Sequence, residues 1–165
     1  MTPCFSPVFL LEQVEIVTLM KGRIKAISVS EKKGTRKVNV PGADLRVDCG
    51  IVGDAHAGKW HRQVSLLAVE SIEKMIANGA EVSPGDFAEN ITTEGIDLLA
   101  LSFGGRLRLG ESVELEITQF GKKCHSDCEI FRQVGDCVMP REGIFARVIK
   151  PGRISVGDII EVVDD

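Results

Sequence analysis

The sequence predicts a mostly β protein, a barrel or closed sheet with two or three helices packed around it. Short β-prone runs recur along the chain, and turn signals such as Gly104-Gly105 and Gly157-Asp158 separate most of them. Only two segments show a clear helical pattern. Many short strands with glycine-rich turns are typical of barrels and sandwiches rather than of doubly wound α/β folds.

The strands are expected where β-branched and apolar residues cluster in short runs. The polar segment Glu31-Lys32-Lys33-Gly34, between two of these runs, predicts a hairpin or a flexible loop. The predicted strands are Ile24–Val29, Val38–Val40, Ala43–Val47, Val64–Leu67, Asn90–Thr92, Arg106–Leu109, Ser112–Thr118, Ile144–Ile149 and Ile159–Val163.

Two helices interrupt the strands. The first runs from Ala68 to Asn78 and ends at Gly79, since glycine commonly terminates a helix. The second runs from about Ser126 to Val134, because Ser126 followed by Glu129 is a capping-box pattern ahead of an apolar face. Leu98–Phe103 reads as a helical turn or a short connection. The apolar face of the first helix is expected to hold Val69, Ile72, Met75 and Ile76.

Composition narrows the class of protein. With 165 residues, 44% of them hydrophobic and 27% charged, the chain has the size of one globular domain with a substantial core. A net charge of −4, seven Phe, one Trp and no Tyr argue against nucleic-acid and anionic-membrane surfaces. No apolar run is long enough to span a bilayer. Five cysteines, an odd number, fit a reducing compartment, and we expect a cytoplasmic protein.

Residues 1–19 differ from the rest of the chain. They lack clear periodicity, whereas an alternating strand begins just after Met20. One interpretation makes residues 1–19 an extension, with Met20 as the original start and residues 20–165 as the domain. The other makes Val14–Leu19 a further strand or helix docked on the core. Both remain open at this stage.

Cys124 is the first candidate for chemistry. It follows Lys122 and Lys123 and precedes the Ser126 cap, so it would lie where lysines and a helix N-terminus favour an anion. Those conditions lower the pKa of a thiol and make a thiolate a nucleophile, a sulfur carrier or a soft-metal ligand. The alternative is an inert, buried small residue.

Two further hypotheses about function concern the segment around Cys124. Cys124, His125, Cys128 and Cys137 contain a Cys-x3-Cys spacing that is compatible with zinc, although no second paired knuckle follows. A catalytic Cys124–His125 dyad is weakly supported, since adjacent side chains usually diverge.

A second cluster lies in a glycine-rich loop, where Lys and Arg side chains and exposed N–H groups could bind a phosphate or another oxyanion. The alternative is a solvated surface loop. In a third segment, Asn90 could bond a heterocycle edge and Glu89 could orient a basic residue, or the segment could simply be a turn entering a strand. The basic residues of the second cluster are His56, Lys59, His61 and Arg62.

Taken together, these residues resemble the MOSC family, the domain found at the C-terminus of molybdenum cofactor sulfurases and as small stand-alone proteins. The resemblance runs from Met20 to Val163. One departure precedes the cysteine: Phe120-Gly121-Lys122-Lys123-Cys124 stands where the family usually has a Pro-Arg-x-Pro-Cys-like approach. The matching pieces are Gly50–Asp54, His56–Gly58, Arg62–Val64, Gly85–Ile91, Leu107–Gly110, Thr118-Gln119, Cys124, Gly143–Val148, Pro151-Gly152 and Val156–Asp158.

The resemblance implies a fold related to the pyruvate kinase β-barrel domain and a role in molybdenum- or tungsten-cofactor chemistry. Cys124 would carry sulfur or hold the metal of a pterin cofactor. Partners would be molybdenum-cofactor biosynthesis proteins or molybdoenzymes, together with a sulfur donor. Pyridoxal phosphate binding belongs to the fusion partners, and none is expected here. The candidate cofactor-binding residues are His56, Lys59, His61, Arg62, Asn90, Lys122, Lys123 and Arg147.

Three functions therefore stay open. The first is sulfur transfer onto a molybdenum cofactor with Cys124 as carrier. The second is non-catalytic binding or chaperoning of a pterin cofactor or an oxyanion, and the third is a zinc-stabilised structural module. We also predict that His56, Lys59, His61 and Arg62 face the same cleft as Cys124, because both segments match pieces of the family motif and are expected at strand ends.

Overall fold

A computed structural model describes residues 20–123 and 129–163 of the chain. The described part contains eleven strands, three α-helices and a 3-10 turn at Leu98–Ala100. The strands are β1 (Lys21–Val29), β2 (Val38–Val40), β3 (Gly42–Arg46), β4 (Gly50–Ile51), β5 (Val64–Ala68), β6 (Ile91–Glu94), β7 (Arg106–Leu109), β8 (Val113–Phe120), β9 (Ile144–Lys150), β10 (Gly152–Ser155) and β11 (Ile159–Val163). The helices are α1 (Val69–Ala77), α2 (Glu129–Val134) and α3 (Met139–Glu142).

Seven strands close a mixed barrel in the order β1-β11-β7-β8-β9-β5-β6, and β6 pairs back with β1. Every neighbouring pair is antiparallel except β5 and β6. Parallel strands need a crossover, and here α1 provides it between β5 and β6. Strand β2 extends the sheet beyond β1, while β10, β3 and β4 form a separate three-stranded sheet.

The barrel interior is filled by side chains that alternate with outward-facing ones. In β7, Leu107 and Leu109 are fully buried, whereas Arg106 lies outside. The small sheet adds Leu45, Ile51 and other apolar residues to the same core. Closure leaves the barrel strands no free edge between them, so the barrel is a rigid base for the loops.

A second, smaller core lies outside the barrel, between the strands and the three helices. Helix α1 contributes Ile72 and Met75, α2 contributes Ile130, and strand β9 contributes Phe145. Gly121 allows β8 to end against α3, because an added Cβ would meet the carbonyl group of Pro140 and its φ is +65°. This core fixes α2 and the end of β8 beside the loop that precedes β5.

The predicted fold is confirmed, with local corrections. All nine predicted strands form, with bounds shifted by up to three residues, and the polar segment is the turn of the β1–β2 hairpin. Strands β4 and β10 were not predicted, and β10 begins at the expected turn Pro151-Gly152. The placement of Ile76 on the buried face of α1 was wrong, because 49% of this residue is exposed. The Ser126 cap lies outside the described residues.

No helix in the part of the chain that the structure describes is both long enough and apolar enough to cross a membrane.

Candidate functional site

The loop between β4 and β5, residues 52–63, which we call the Trp60 loop, forms walls of two adjacent clefts. Trp60 lines both of them. Its indole Nε1 donates a hydrogen bond of 2.8 Å to the carbonyl oxygen of His56, and the two rings stack nearly parallel with centroids 6.3 Å apart. Loop and ring therefore hold each other in place, and Trp60 stands at the boundary between the clefts.

The first cleft, which we call the Arg62 cleft, has a volume of about 700 Å³, and its charged lining residues are mostly basic. Its cationic side chains come from the β1–β2 turn, the Trp60 loop and the end of β8. The single carboxylate in the described lining, Asp86, lies 3.9 Å from Arg36. The basic lining residues are Lys33, Arg36, Arg62, Lys122 and Lys123, together with His56.

Arg62 is held between two aromatic rings. Its Cζ lies 4.8 Å from the centroid of Trp60 and 5.7 Å from that of Phe145. Its Nε is buried without a hydrogen-bond partner, and within the described residues the guanidinium forms no ion pair. A guanidinium without an anionic partner, in a cleft lined by further cations, favours the binding of an external anion.

The segment that carries Cys124 adjoins this cleft in sequence. Lys122 and Lys123 line the cleft immediately before Cys124, and Ile130 lines it after the gap. Cys124 itself lies outside the described residues, as do His125 and Cys128. Cys137 is buried and lines the same cleft. The described residues contain no cluster of metal ligands, and three of the four candidate zinc ligands lie outside them.

A buried ion pair, Lys37–Asp54, contacts both the ring and the backbone of His56. Lys37 Nζ and Asp54 Oδ1 are 2.7 Å apart, and neither side chain is exposed. Lys37 Nζ also lies 3.0 Å from His56 Nδ1, and the backbone N–H of His56 donates to Asp54 Oδ2 at 3.0 Å. The ring of His56 is thus oriented toward the cleft by residues of two separate elements.

The surroundings of Asp54 keep it ionised. Burial alone would raise the pKa of this carboxyl group, but hydrogen bonds from Lys37 and from the backbone N–H groups of Ser30 and His56 together hold the pKa well below its usual range. The negative charge of Asp54 then compensates Lys37, which would otherwise be a buried, unpaired cation.

The loop that contributes Phe87 and Ala88 to the cleft is held by Glu89. Its fully buried carboxylate accepts hydrogen bonds from the backbone N–H groups of Gly85 and Phe87, at 2.6 and 3.1 Å. Burial raises the pKa of Glu89, and these hydrogen bonds oppose the shift. Gly85 has a φ of +98°, and a Cβ there would meet the carbonyl group of Lys37. Glu89 therefore orients backbone rather than a basic side chain.

Asn90 lies inside the barrel wall, away from the cleft. Asn90 is fully buried. Its Nδ2 donates to the carbonyl oxygen of Ser28, and its Oδ1 accepts from the backbone N–H and the hydroxyl group of Ser65. Both ends of the amide are occupied, so Asn90 links β1 to β5. The structure does not bring Asn90 together with the basic residues.

The second cleft, which we call the Arg147 cleft, takes the remaining predicted residues. Lys59, His61 and Arg147 line it, not the Arg62 cleft. Arg147 is neutralised by Glu116, at 2.8 Å from Nη2 and 3.0 Å from Nε. His61 Nε2 lies 2.8 Å from Gln119 Oε1. The predicted set is therefore divided: His56, Arg62, Lys122 and Lys123 share one cleft, whereas Lys59, His61 and Arg147 share its neighbour.

Sequence reasoning missed several residues of the Arg62 cleft. Lys37 directly precedes strand β2, at a position that has no distinctive sequence pattern. Only its burial beside Asp54 indicates that it helps to build the cleft. Lys33 lies in the predicted polar turn and Arg36 comes soon after it, yet both line the cleft, and Lys33 Nζ lies 5.0 Å from the centroid of Trp60. No sequence signal distinguishes these three basic residues from surface charges.

The described fold is a β-barrel that carries basic loops. Comparison with known protein families identifies the family to which it belongs. The MOSC domain model matches residues 53–161, about two thirds of the chain, so this chain belongs to the MOSC domain family. The matched range includes Trp60 and nearly all of its loop, the loop that Glu89 holds in place, and Cys124.

Solved structures share the fold at low sequence identity. The YuaD protein from Bacillus subtilis matches with a TM-score of 0.73 and 20% identity, over 87% of this chain and 96% of that chain. YiiM from Escherichia coli matches with a TM-score of 0.61 and 20% identity, over 87% and 70%. YiiM from Geobacillus stearothermophilus gives 0.64 and 17%, over 87% and 75%. No curated protein sequence matches the chain.

Proposed function

We propose that this MOSC protein binds a phosphate-bearing molybdenum or tungsten pterin cofactor in the Arg62 cleft and uses Cys124 as a sulfur carrier. The observation that carries the proposal is Arg62, whose guanidinium lies over the rings of Trp60 and Phe145 and forms no ion pair within the described residues. A phosphate group in the cleft would be its anionic partner, and Lys122 and Lys123 add positive charge on the cleft wall. The family is the second support.

The residues fit such a group chemically. Arg62, Lys122 and Lys123 would hold the phosphate, and the apolar lining residues Phe87, Ile130 and Met139 would contact the pterin. The metal supplies a soft centre that a thiolate can ligate. Cys124 follows Lys123 directly, and adjacent positive charge favours its thiolate form.

Sulfur carriage is a covalent role for Cys124. The Cys124 thiolate would attack the outer sulfur of a donor persulfide, so that the donor S–S bond breaks, the donor leaves as a thiolate and Cys124 becomes the persulfide, with no net oxidation or reduction. The donor thiol and the acceptor are separate molecules, which agrees with the expected partners, a sulfur donor and a cofactor-biosynthesis protein or molybdoenzyme.

The decisive experiment is mass spectrometry of the full chain after incubation with a persulfide donor and the cofactor. We expect one additional sulfur atom on the peptide that contains Cys124, and none on that peptide in Cys124→Ser. Cys49→Ser is the matched control and should leave the labelling unchanged. Equal labelling of Cys49 and Cys124 would refute the carrier role.

Non-catalytic binding of the cofactor is the second candidate, because the unpaired Arg62 serves either role. It is recognised by cofactor affinity that survives Cys124→Ser, without any persulfide in the parent protein. Alkylation rates separate the two candidates further, since a carrier requires Cys124 to react faster than Cys49 and Cys137 near neutral pH. Stoichiometric zinc in the purified protein would instead support a structural module.

A further inference from the structure

The geometry points to Lys37 and Asp54 as positioning residues that hold His56 as a hydrogen-bond donor toward an anionic oxygen in the Arg62 cleft. The inference deepens the proposed function, on which the identity of the anion rests. The state of His56 can be measured without any ligand.

The ammonium group of Lys37 has three N–H bonds and three neighbours that accept them. Nζ lies 2.7 Å from Asp54 Oδ1, 3.0 Å from Ser30 Oγ and 3.0 Å from His56 Nδ1. The hydroxyl group of Ser30 gives its own proton to the carbonyl oxygen of Lys32, so its oxygen is free to accept from Lys37. Every donor of this buried side chain is therefore used.

The contact with Lys37 determines which nitrogen of His56 carries the proton. An ammonium group has no lone pair, so Nδ1 must be the acceptor in the 3.0 Å contact. The proton of the neutral imidazole is then on Nε2. Nε2 is not buried and has no hydrogen-bond partner among the described residues, and His56 lines the Arg62 cleft. The donor N–H thus remains available to a ligand.

This polarity reverses the common aspartate–histidine pair. In that pair the carboxylate accepts from Nδ1–H and leaves Nε2 as a base. Here Asp54 Oδ2 lies 3.6 Å from Nδ1, and Lys37 occupies the bonding position instead. His56 consequently resembles Arg62 in function: both offer N–H groups to an anion. A neutral imidazole oriented in this way donates to an oxyanion and adds no charge of its own beside Lys37.

The test is nitrogen-15 NMR of the imidazole side chains in the full-length protein, recorded without ligand. We expect the neutral His56 ring to be protonated at Nε2 in the parent protein. In Lys37→Met, Nδ1–H becomes free to donate to Asp54 Oδ2, so the proton should move to Nδ1. A parent protein with the proton on Nδ1, or a folded Lys37→Met variant with an unchanged tautomer, overturns the inference.

His61 is the internal control. Gln119 Nε2 donates to the carbonyl oxygen of Gly121 at 2.7 Å, which turns its Oε1 toward His61 Nε2 at 2.8 Å. His61 is therefore also protonated on Nε2, but for a reason independent of Lys37. Its spectrum should be the same in the parent protein and in Lys37→Met.

A second pair of variants keeps the inference testable if Lys37→Met fails to fold. His56→Gln retains an N–H donor near the position of Nε2, whereas His56→Phe removes it. With inorganic phosphate as the probe, we expect His56→Phe to bind roughly tenfold more weakly and His56→Gln to stay within about threefold of the parent. Equal losses in both variants contradict a donor role. Phosphate binding that is absent altogether, with the expected tautomer present, refutes the proposed function and leaves the positioning of His56 intact.

Discussion

The two clefts that share Trp60 contain similar residue types but differ in how their arginines are neutralised. Arg147 has a carboxylate, Glu116, at 2.8 Å. Arg62 has two aromatic rings and, within the described residues, no carboxylate within ion-pair distance. A guanidinium that already has an anion gains little from a second one, whereas an unpaired one gains a charged hydrogen bond. An arginine alone therefore does not identify an anion-binding site. What identifies the site is that its arginine has no carboxylate partner in the protein.

The ion pairs associated with the two clefts differ in their exposure to solvent as well. Lys37 and Asp54 are completely buried, whereas the side chains of Arg147 and Glu116 are 53% and 22% exposed. Water and salt screen the exposed pair and not the buried one. The Arg62 cleft thus adjoins an ion pair that solvent does not screen, while the pair in the Arg147 cleft is an ordinary surface contact.

The largest expected effect comes from breaking the buried pair. Asp54→Ala leaves the ammonium of Lys37 buried and unpaired, and we expect it to lower the free energy of unfolding by about 3–5 kcal/mol. Glu116→Ala is the matched control in the other cleft and should cost less than about 1 kcal/mol. Urea denaturation of both variants measures the difference. Similar losses would mean that the two pairs are equivalent.

The next effect concerns binding. Arg62→Ala removes the unpaired guanidinium and should weaken binding of the phosphate-bearing pterin cofactor by about 1.5–3 kcal/mol. Arg147→Ala should change that affinity far less, because Glu116 already neutralises Arg147. Isothermal titration of the two variants against the parent gives the comparison. A larger loss in Arg147→Ala would move the cofactor to the other cleft.

Acid should weaken the buried pair in a predictable range of pH. The pKa of Asp54 is lowered in the folded state, so its contribution to stability is complete above the unfolded value of about 4 and is lost as the pH falls toward the folded value. The stability advantage of the parent over Asp54→Asn should shrink below pH ~4, by at most about 1.4 kcal/mol per pH unit.

The measurement is urea unfolding of both proteins between neutral pH and about pH 3, a range that spans the unfolded pKa of an aspartate. The raised pKa of Glu89 acts in the opposite direction, but it is common to both proteins and cancels in the difference. An advantage that is constant over this range would show that Asp54 titrates alike in the folded and unfolded chains.

The smallest effect is expected from removing residues 1–19. All described residues that line either cleft come after Met20, so a chain starting at Met20 should keep both clefts. We expect a thermal midpoint within about 2 °C of that of the full chain, since chain ends contribute little unless they are tied down. A drop of several degrees, or loss of expression, would make Val14–Leu19 part of the core.

Much of the fold can be predicted from local sequence pattern. Alternation in Arg106–Leu109 and glycine-rich turns identify strands and their ends, because side chains on a strand alternate between interior and exterior. Strands β4 and β10 were not predicted because they are defined by their pairing with β3 rather than by composition. The exposure of Ile76 escaped prediction as well, because it depends on which elements cover α1.

The sequence by itself determined the barrel, the family and the basic loop around Trp60, since periodicity, turn chemistry and motif order are local properties. Only the tertiary structure decided that Arg62 is unpaired while Arg147 is neutralised, and that Lys37 lies against His56. These distinctions depend on contacts between residues that are far apart in the chain. Electrostatic roles are set by distance and burial, and neither can be read from residue types alone.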